Sequence, residues 1–247
     1  MVKRTLAAIL VICLVLGVYV GYEFRPASII VKTGEGNFAA SEPAANSISL
    51  ELPAVDRDGN GAMALLQIQA AKGNGQVFLR MDSQNPVVST DTQESLRIAI
   101  DVVKKIVGSS LQDVNLYYSI SSESQAVGGG SAGAAIAVAT ISLLRQEPLR
   151  ADSVITGTVQ EDGSIGQVGK ILAKAQIAKQ RGYSIILVPK GEAVQTIAKQ
   201  QCTTRKVGPA TVEKCSTVFE QVDVARETGM QVIEVSSVQE AYSLMKK

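Results

Sequence analysis

The stretch GGGSAGAAIAVATISLL, Gly128 to Leu144, decides how this chain is read. Three glycines lead into a serine, and the serine into an unbroken run of small and apolar residues. A run of this kind with no polar face reads as a helix buried on all sides. Glycines let another backbone approach closely. The first turn of a helix carries unpaired N–H groups and positive partial charge. Ser131 therefore has three available tasks. It caps the helix, it belongs to a phosphate-binding N-terminus, or it is a nucleophile whose oxyanion the nearby N–H groups bind. In the third case the backbone of Gly129, Gly130 and Ala132 supplies the oxyanion donors.

A serine hydroxyl is a poor nucleophile until a base takes its proton. The 247-residue chain contains no histidine. That excludes a Ser-His-Asp triad and an HExxH metal site. A carboxylate is usually too weak a base for serine, which leaves lysine. A lysine serves if it is neutral, and burial favours the neutral form. The segment KILAKAQIAKQR, Lys170 to Arg181, reads as a helix stopped by Gly182. On its wheel Lys174 lies beside Ile171, Ile177 and Ala178, at the edge of the apolar stripe. Lys170 opens the helix and is the second choice. Lys179 falls on the other side, between Leu172 and Ala175. The plain alternative is a surface Lys174 lying along its own stem.

Composition removes other classes. With 24 basic and 23 acidic side chains there is no electrostatic footprint for nucleic acid. Tryptophan is absent, and aromatics make up only 4% of residues, too few for a base-stacking surface. Of the three cysteines, Cys13 sits in an apolar run, so the usual zinc cluster is not expected. These residues contain no GxxxxGK[ST] phosphate loop. No cofactor and no metal are expected.

The N-terminal segment reads as a membrane anchor. Lys3 and Arg4 precede TLAAILVICLVLGVYVGY, Thr5 to Tyr22, which is free of charge. As a helix it would span roughly 27 Å, close to the ~30 Å hydrocarbon core. The expected layout is a cytoplasmic N-terminus at 1–4, a signal anchor at 5–22 and a linker at 23–47 with a short strand at Ser28–Val31. A folded domain follows at 48–247, outside the cytoplasm. A cleaved signal peptide is the rival.

Within the domain, Leu65–Ala71 and Gln76–Met81 read as strands joined by a turn at Lys72–Gly75. Thr90–Gly108 reads as a helix, with a capping box at Thr90 and Gln93 and an apolar stripe of Leu96, Ile100, Val103 and Val107. Asn115–Ile120, Ser153–Val159, Tyr183–Val188 and Gln231–Val235 read as strands. Glu161-Asp162-Gly163 reads as a turn, and Ser237 with Glu240 as the capping box of a closing helix. Hairpins mixed with crossover helices give one α/β (α+β) domain. Cys202 and Cys215 bracket a polar segment and, outside the cytoplasm, are candidates for a disulfide.

GGGSAGAAIAVATISLL, PLRADSVITGTV and DGSIGQVGKILAKAQIAKQRGYSIILVP, taken in order, resemble the proteolytic domain of the Lon family of serine proteases. The resemblance covers most of Asn115–Lys190. It implies a fold similar to the second domain of ribosomal protein S5 and a Ser–Lys dyad, carried here onto Ser131 and Lys174. The family's TGE threonine, which bonds the lysine, falls on Thr156, with Thr158 where the glutamate would be. The usual DGPSAG reads GGGSAG here, without its acidic residue and proline. The layout is similar to small membrane-anchored Lon-like proteases without an ATPase, and the family implies polypeptide substrates and a hexameric homo-oligomer. Two other functions remain in view. One is an inactive peptide-binding or scaffold module at the membrane. The other is a protease subunit working with a separate ATPase.

Overall fold

The computed structural model describes residues 46–80, 89–122, 129–207 and 210–247. The expected anchor at 5–22 and the strand at Ser28–Val31 lie outside the described residues. Among the described residues no helix is long and apolar enough to cross a membrane.

Two larger sheets and their covering helices make the body of the domain, beside two two-stranded pairs. The first sheet has the order β1-β2-β4-β3, from β1 (Ser47–Val55), β2 (Gly61–Lys72), β3 (Val77–Arg80) and β4 (Val114–Ser122). β1 pairs antiparallel with β2 and β2 with β4, whereas β3 runs parallel to β4. The expected hairpin of β2 with β3 is therefore not formed, because β4 lies between them. Asn115 explains the insertion. Its Oδ1 accepts the N–H groups of Asn74 and Gln76, and Gly73 N–H donates to Asp113 O at 2.8 Å. The start of β4 thus takes the bonds that a tight turn would have made with itself.

The second sheet is parallel, with the order β11-β8-β5, from β5 (Ser153–Ile155), β8 (Ile185–Pro189) and β11 (Gln231–Val235). A parallel sheet is normally covered on both faces, and β8 shows this by its alternation. Ile185 and Leu187 join one core, and Ile186 and Val188 the other. Helix α1 (Thr90–Val107), helix α2 (Gly133–Arg145) and the first sheet fill the larger core. Helix α3 (Ile171–Gln180) fills the smaller one through Ile171, Ala175 and Ala178, with Val224 of the short helix α4 (Val224–Thr228). Helix α5 (Val238–Met245) closes the chain.

Helix α2 is the central element. Every residue from Gly133 to Ser142 is buried. Side chains the size of Ile136 and Ile141 each stabilise the fold by about 1.5–3 kcal/mol on burial. Its two buried hydroxyls are satisfied, since Thr140 Oγ1 donates to Ile136 O at 2.6 Å and lies 2.8 Å from the buried Tyr118 hydroxyl, and Ser142 Oγ donates to Glu147 O.

Three further expectations are adjusted. Ser89, not Thr90, caps α1, and its hydroxyl accepts Thr92 N–H. At α5 the Ser237 hydroxyl caps the helix, while the Glu240 carboxylate accepts from Ser236 N–H at 2.8 Å. The strand expected at Ser153–Val159 is broken into β5 and β6 (Thr158–Val159), and β6 pairs with β7 (Ile165–Gly166). Among the elements not anticipated are β1, the short helix α4 and a hairpin. β9 (Val194–Val207) and β10 (Ala210–Asp223) form a long antiparallel hairpin of mostly exposed residues. Cys202 faces Cys215 across it, and their sulfurs are bonded.

Candidate active site

Ser131 lies in a short 3-10 turn, Gly130–Ala132, that leads into α2. The N–H groups of Gly130 and Ser131 lie in the opening turn of this helix, where the first N–H groups have no intrahelical acceptor. The turn begins at Gly129, whose φ of 91° suits glycine alone. Gly133 follows the turn because there is no room for more. A Cβ there would lie 2.6 Å from Ser95 Oγ and 3.1 Å from Val159 N.

The break between β5 and β6 supplies the next part. Thr156 N–H donates to Leu187 O, which keeps Thr156 on the edge of β8. Gly157 then turns toward α2. Its N–H donates to Ser131 O at 3.0 Å, and its carbonyl accepts from Ala134 N–H at 3.0 Å. A Cβ on Gly157 would sit 2.5 Å from Ile165 Cγ2. The Thr156-Gly157 step is thus bonded to the backbone that carries Ser131.

Helix α3 brings Lys174 to the same step. Lys174 Nζ donates to Thr156 Oγ1 at 3.0 Å, and the two residues are 2% and 1% exposed. Burial holds the Lys174 ammonium down to a pKa of about 8, opposed by the negative charge of Glu192. The other lysines of the helix are different. Lys170 is exposed and sits at the head of α3 with φ 62°. Lys179 is exposed and donates to Gly229 O.

Ser131, Thr156 and Lys174 are therefore linked through Gly157 and one hydrogen bond, with Gly129, Gly130 and Ala132 around the serine. Cys202 and Cys215 belong to the hairpin. A cavity of about 790 Å³ between β1 and residues 146–151 is lined by none of the candidate site residues. Sequence reasoning missed Glu192 and three hydroxyls of the α1 region. Ser89, Thr92 and Ser95 recur at helical spacing on one face, a pattern that was visible but carried no assigned partner.

The chain is similar in sequence to known proteins. The chain is 25% identical over 149 residues to the archaeal Lon protease of Methanocaldococcus jannaschii, covering 56% of this chain and 22% of that protein. It is 27% identical over 132 residues to the Lon protease of Fervidobacterium nodosum, covering 52% of this chain and 16% of that protein. Over 88 residues it is 30% identical to the archaeal Lon protease of Thermoplasma volcanium, covering 36% of this chain and 13% of that protein. The chain thus matches less than a quarter of the length of each of these relatives. The profile of the Lon protease (S16) C-terminal proteolytic domain matches residues 60–224, so the chain belongs to that family.

Proposed function

We propose that this protein is a serine endopeptidase that cleaves polypeptides with a Ser131–Lys174 dyad. The observation that carries the reading is Lys174. A lysine 2% exposed and bonded to Thr156 Oγ1, with its pKa brought down to about 8, has a neutral form available near physiological pH.

In the proposed cycle, neutral Lys174 takes the proton from Ser131 Oγ as the oxygen attacks the scissile carbonyl. Backbone N–H groups at the head of α2 bind the oxyanion. The Lys174 ammonium returns its proton to the leaving amine as the C–N bond breaks, leaving an acyl-enzyme. Water then attacks the ester with Lys174 again as base, and Ser131 is released. Thr156 accepts one Lys174 N–H and keeps the amine pointed at the reaction. No step of this cycle consumes ATP, and cleavage of flexible chains proceeds without it. The segment 5–22 tethers the enzyme to the membrane, with the domain on the extracytoplasmic side. The supporting observation is its length and lack of charge.

The test is hydrolysis of casein and of a fluorogenic peptide by the full chain in detergent without ATP. Ser131→Ala and Lys174→Ala should each abolish it and remain folded. An inert wild type that is folded would favour a peptide-binding module, and activity only with an added ATPase would favour the subunit reading.

A further inference from the structure

The cap residue Ser89 and the α1 residues Thr92 and Ser95 face the glycine loop, and their hydroxyls bond three backbone groups of it. Gly129 N–H donates to Ser89 Oγ at 3.3 Å. Thr92 Oγ1 donates to Gly129 O at 3.2 Å. Ser95 Oγ donates to Gly130 O at 2.8 Å. Thr92 and Ser95 are 1% and 6% exposed, so water cannot readily replace these bonds.

The consequence follows from the planarity of the peptide. In a trans peptide the N–H points opposite to the C=O. Holding Gly129 O toward α1 turns Gly130 N–H away from α1. Holding Gly130 O toward α1 turns Ser131 N–H away in the same manner. Gly130 O also accepts Gly133 N–H, so Ser95 adds a second restraint to that peptide. Gly129 O accepts from Thr92 Oγ1, and Gly129 has no Cβ to limit rotation. Losing the two hydroxyls would loosen the hold on both glycine peptides.

We propose that Thr92 and Ser95 are positioning residues that aim the Gly130 and Ser131 N–H groups at the oxyanion. They touch no reacting atom and act through the loop. The proposal rests on the serine-peptidase reading above. It goes further by assigning the donors' orientation to α1, a helix otherwise concerned with the core.

The experiment uses the full chain in detergent and compares Thr92→Val, Thr92→Ser and Ser95→Ala. Valine keeps the shape of Thr92 and removes the hydroxyl, and serine keeps the hydroxyl. We would measure kcat and KM for a fluorogenic peptide, and the inhibition constant of a peptide boronate that forms a tetrahedral adduct. Removing one oxyanion donor costs roughly 10²–10³-fold in kcat, and misaiming donors should cost roughly 10–100-fold. Thr92→Val and Ser95→Ala should therefore lower kcat by that factor at nearly constant KM, with boronate affinity falling in parallel. Thr92→Ser should recover most of the kcat.

Unchanged kcat and boronate affinity in Thr92→Val and Ser95→Ala, beside an active wild type, would overturn the positioning role alone. The same would follow if Thr92→Ser lost as much as Thr92→Val. A wild type with no Ser131-dependent hydrolysis would overturn the peptidase reading, and the positioning role with it.

Discussion

Lys174 is costly to the fold for the same reason that it suits catalysis. Its pKa falls from 10.5 to about 8 because burial disfavours the ammonium. The unfolded chain therefore binds the proton first as pH falls. Stability contributed by the neutral lysine is present above about 10.5 and is lost as pH falls to about 8. At about 1.4 kcal/mol per unit, the cost at neutral pH is on the order of 3 kcal/mol. Lys174→Met should thus raise the urea midpoint at pH 7 while abolishing hydrolysis, and the gain should shrink by pH 11. Activity depends on protonation in the same sense. The rate should rise with pH through about 8, as the base loses its proton. Glu192 pulls this pKa up, so Glu192→Gln should move the acid limb of the pH–rate profile to lower pH. A limb that moves up or stays in place would remove Glu192 from the electrostatics of the site. Much of this residue-level picture was legible in the sequence. Without histidine the base search reached lysine, and the helical wheel put Lys174 at the edge of the apolar stripe. Glu192 was not legible, because it lies after β8 in the turn that precedes the unanticipated β9.

At the scale of elements, the site depends on close approaches that glycines permit. Gly61 begins β2 beneath α3. A Cβ there would overlap the Ala173 carbonyl and lie 2.8 Å from Ile177 Cβ. The first of these is backbone, so α3 itself must move to admit a methyl group. Gly61→Ala should cost about 1–3 kcal/mol of stability, the usual range for overpacking. It should also let water reach Lys174 and move the acid limb toward higher pH. Urea titration and the pH–rate profile would check both effects together. A stability loss with an unmoved limb would mean that Lys174 does not feel the position of α3. Helices were the readable elements here. Helix α2 announces itself by its run of small residues, and α1 by its stripe and Gly108. Strand order was not readable, because β2 and β3 are neighbours in sequence whereas β4, which lies between them, starts only after α1. The β9–β10 hairpin was missed for a related reason. Its faces are mostly exposed, so no buried side supplies a period-two signal.

At the scale of the whole molecule, the hairpin disulfide and the proposed anchor both bear on location. Cys202 and Cys215 lie on an exposed hairpin, where reductant has free access. A disulfide there persists in an oxidising compartment and is reduced in most cytoplasms. If segment 5–22 holds the domain outside, cells quenched with acid and alkylated under denaturing conditions should show only Cys13 modified. Reduction before alkylation should bring the number of modified cysteines to the three in the chain. Three adducts without reduction would contradict an oxidising location. Redox state alone does not fix the side of the membrane, since some thermophile cytoplasms retain disulfides. Protease added to intact cells, with the outer layers opened, supplies the second arm. An external domain should be cut, and a cytoplasmic one protected until the membrane is lysed. Oxidised cysteines with a protected domain would place the enzyme inside and return weight to a partner ATPase. Oxidised cysteines with an accessible domain would leave the peptidase on the face of the membrane where it must work without ATP.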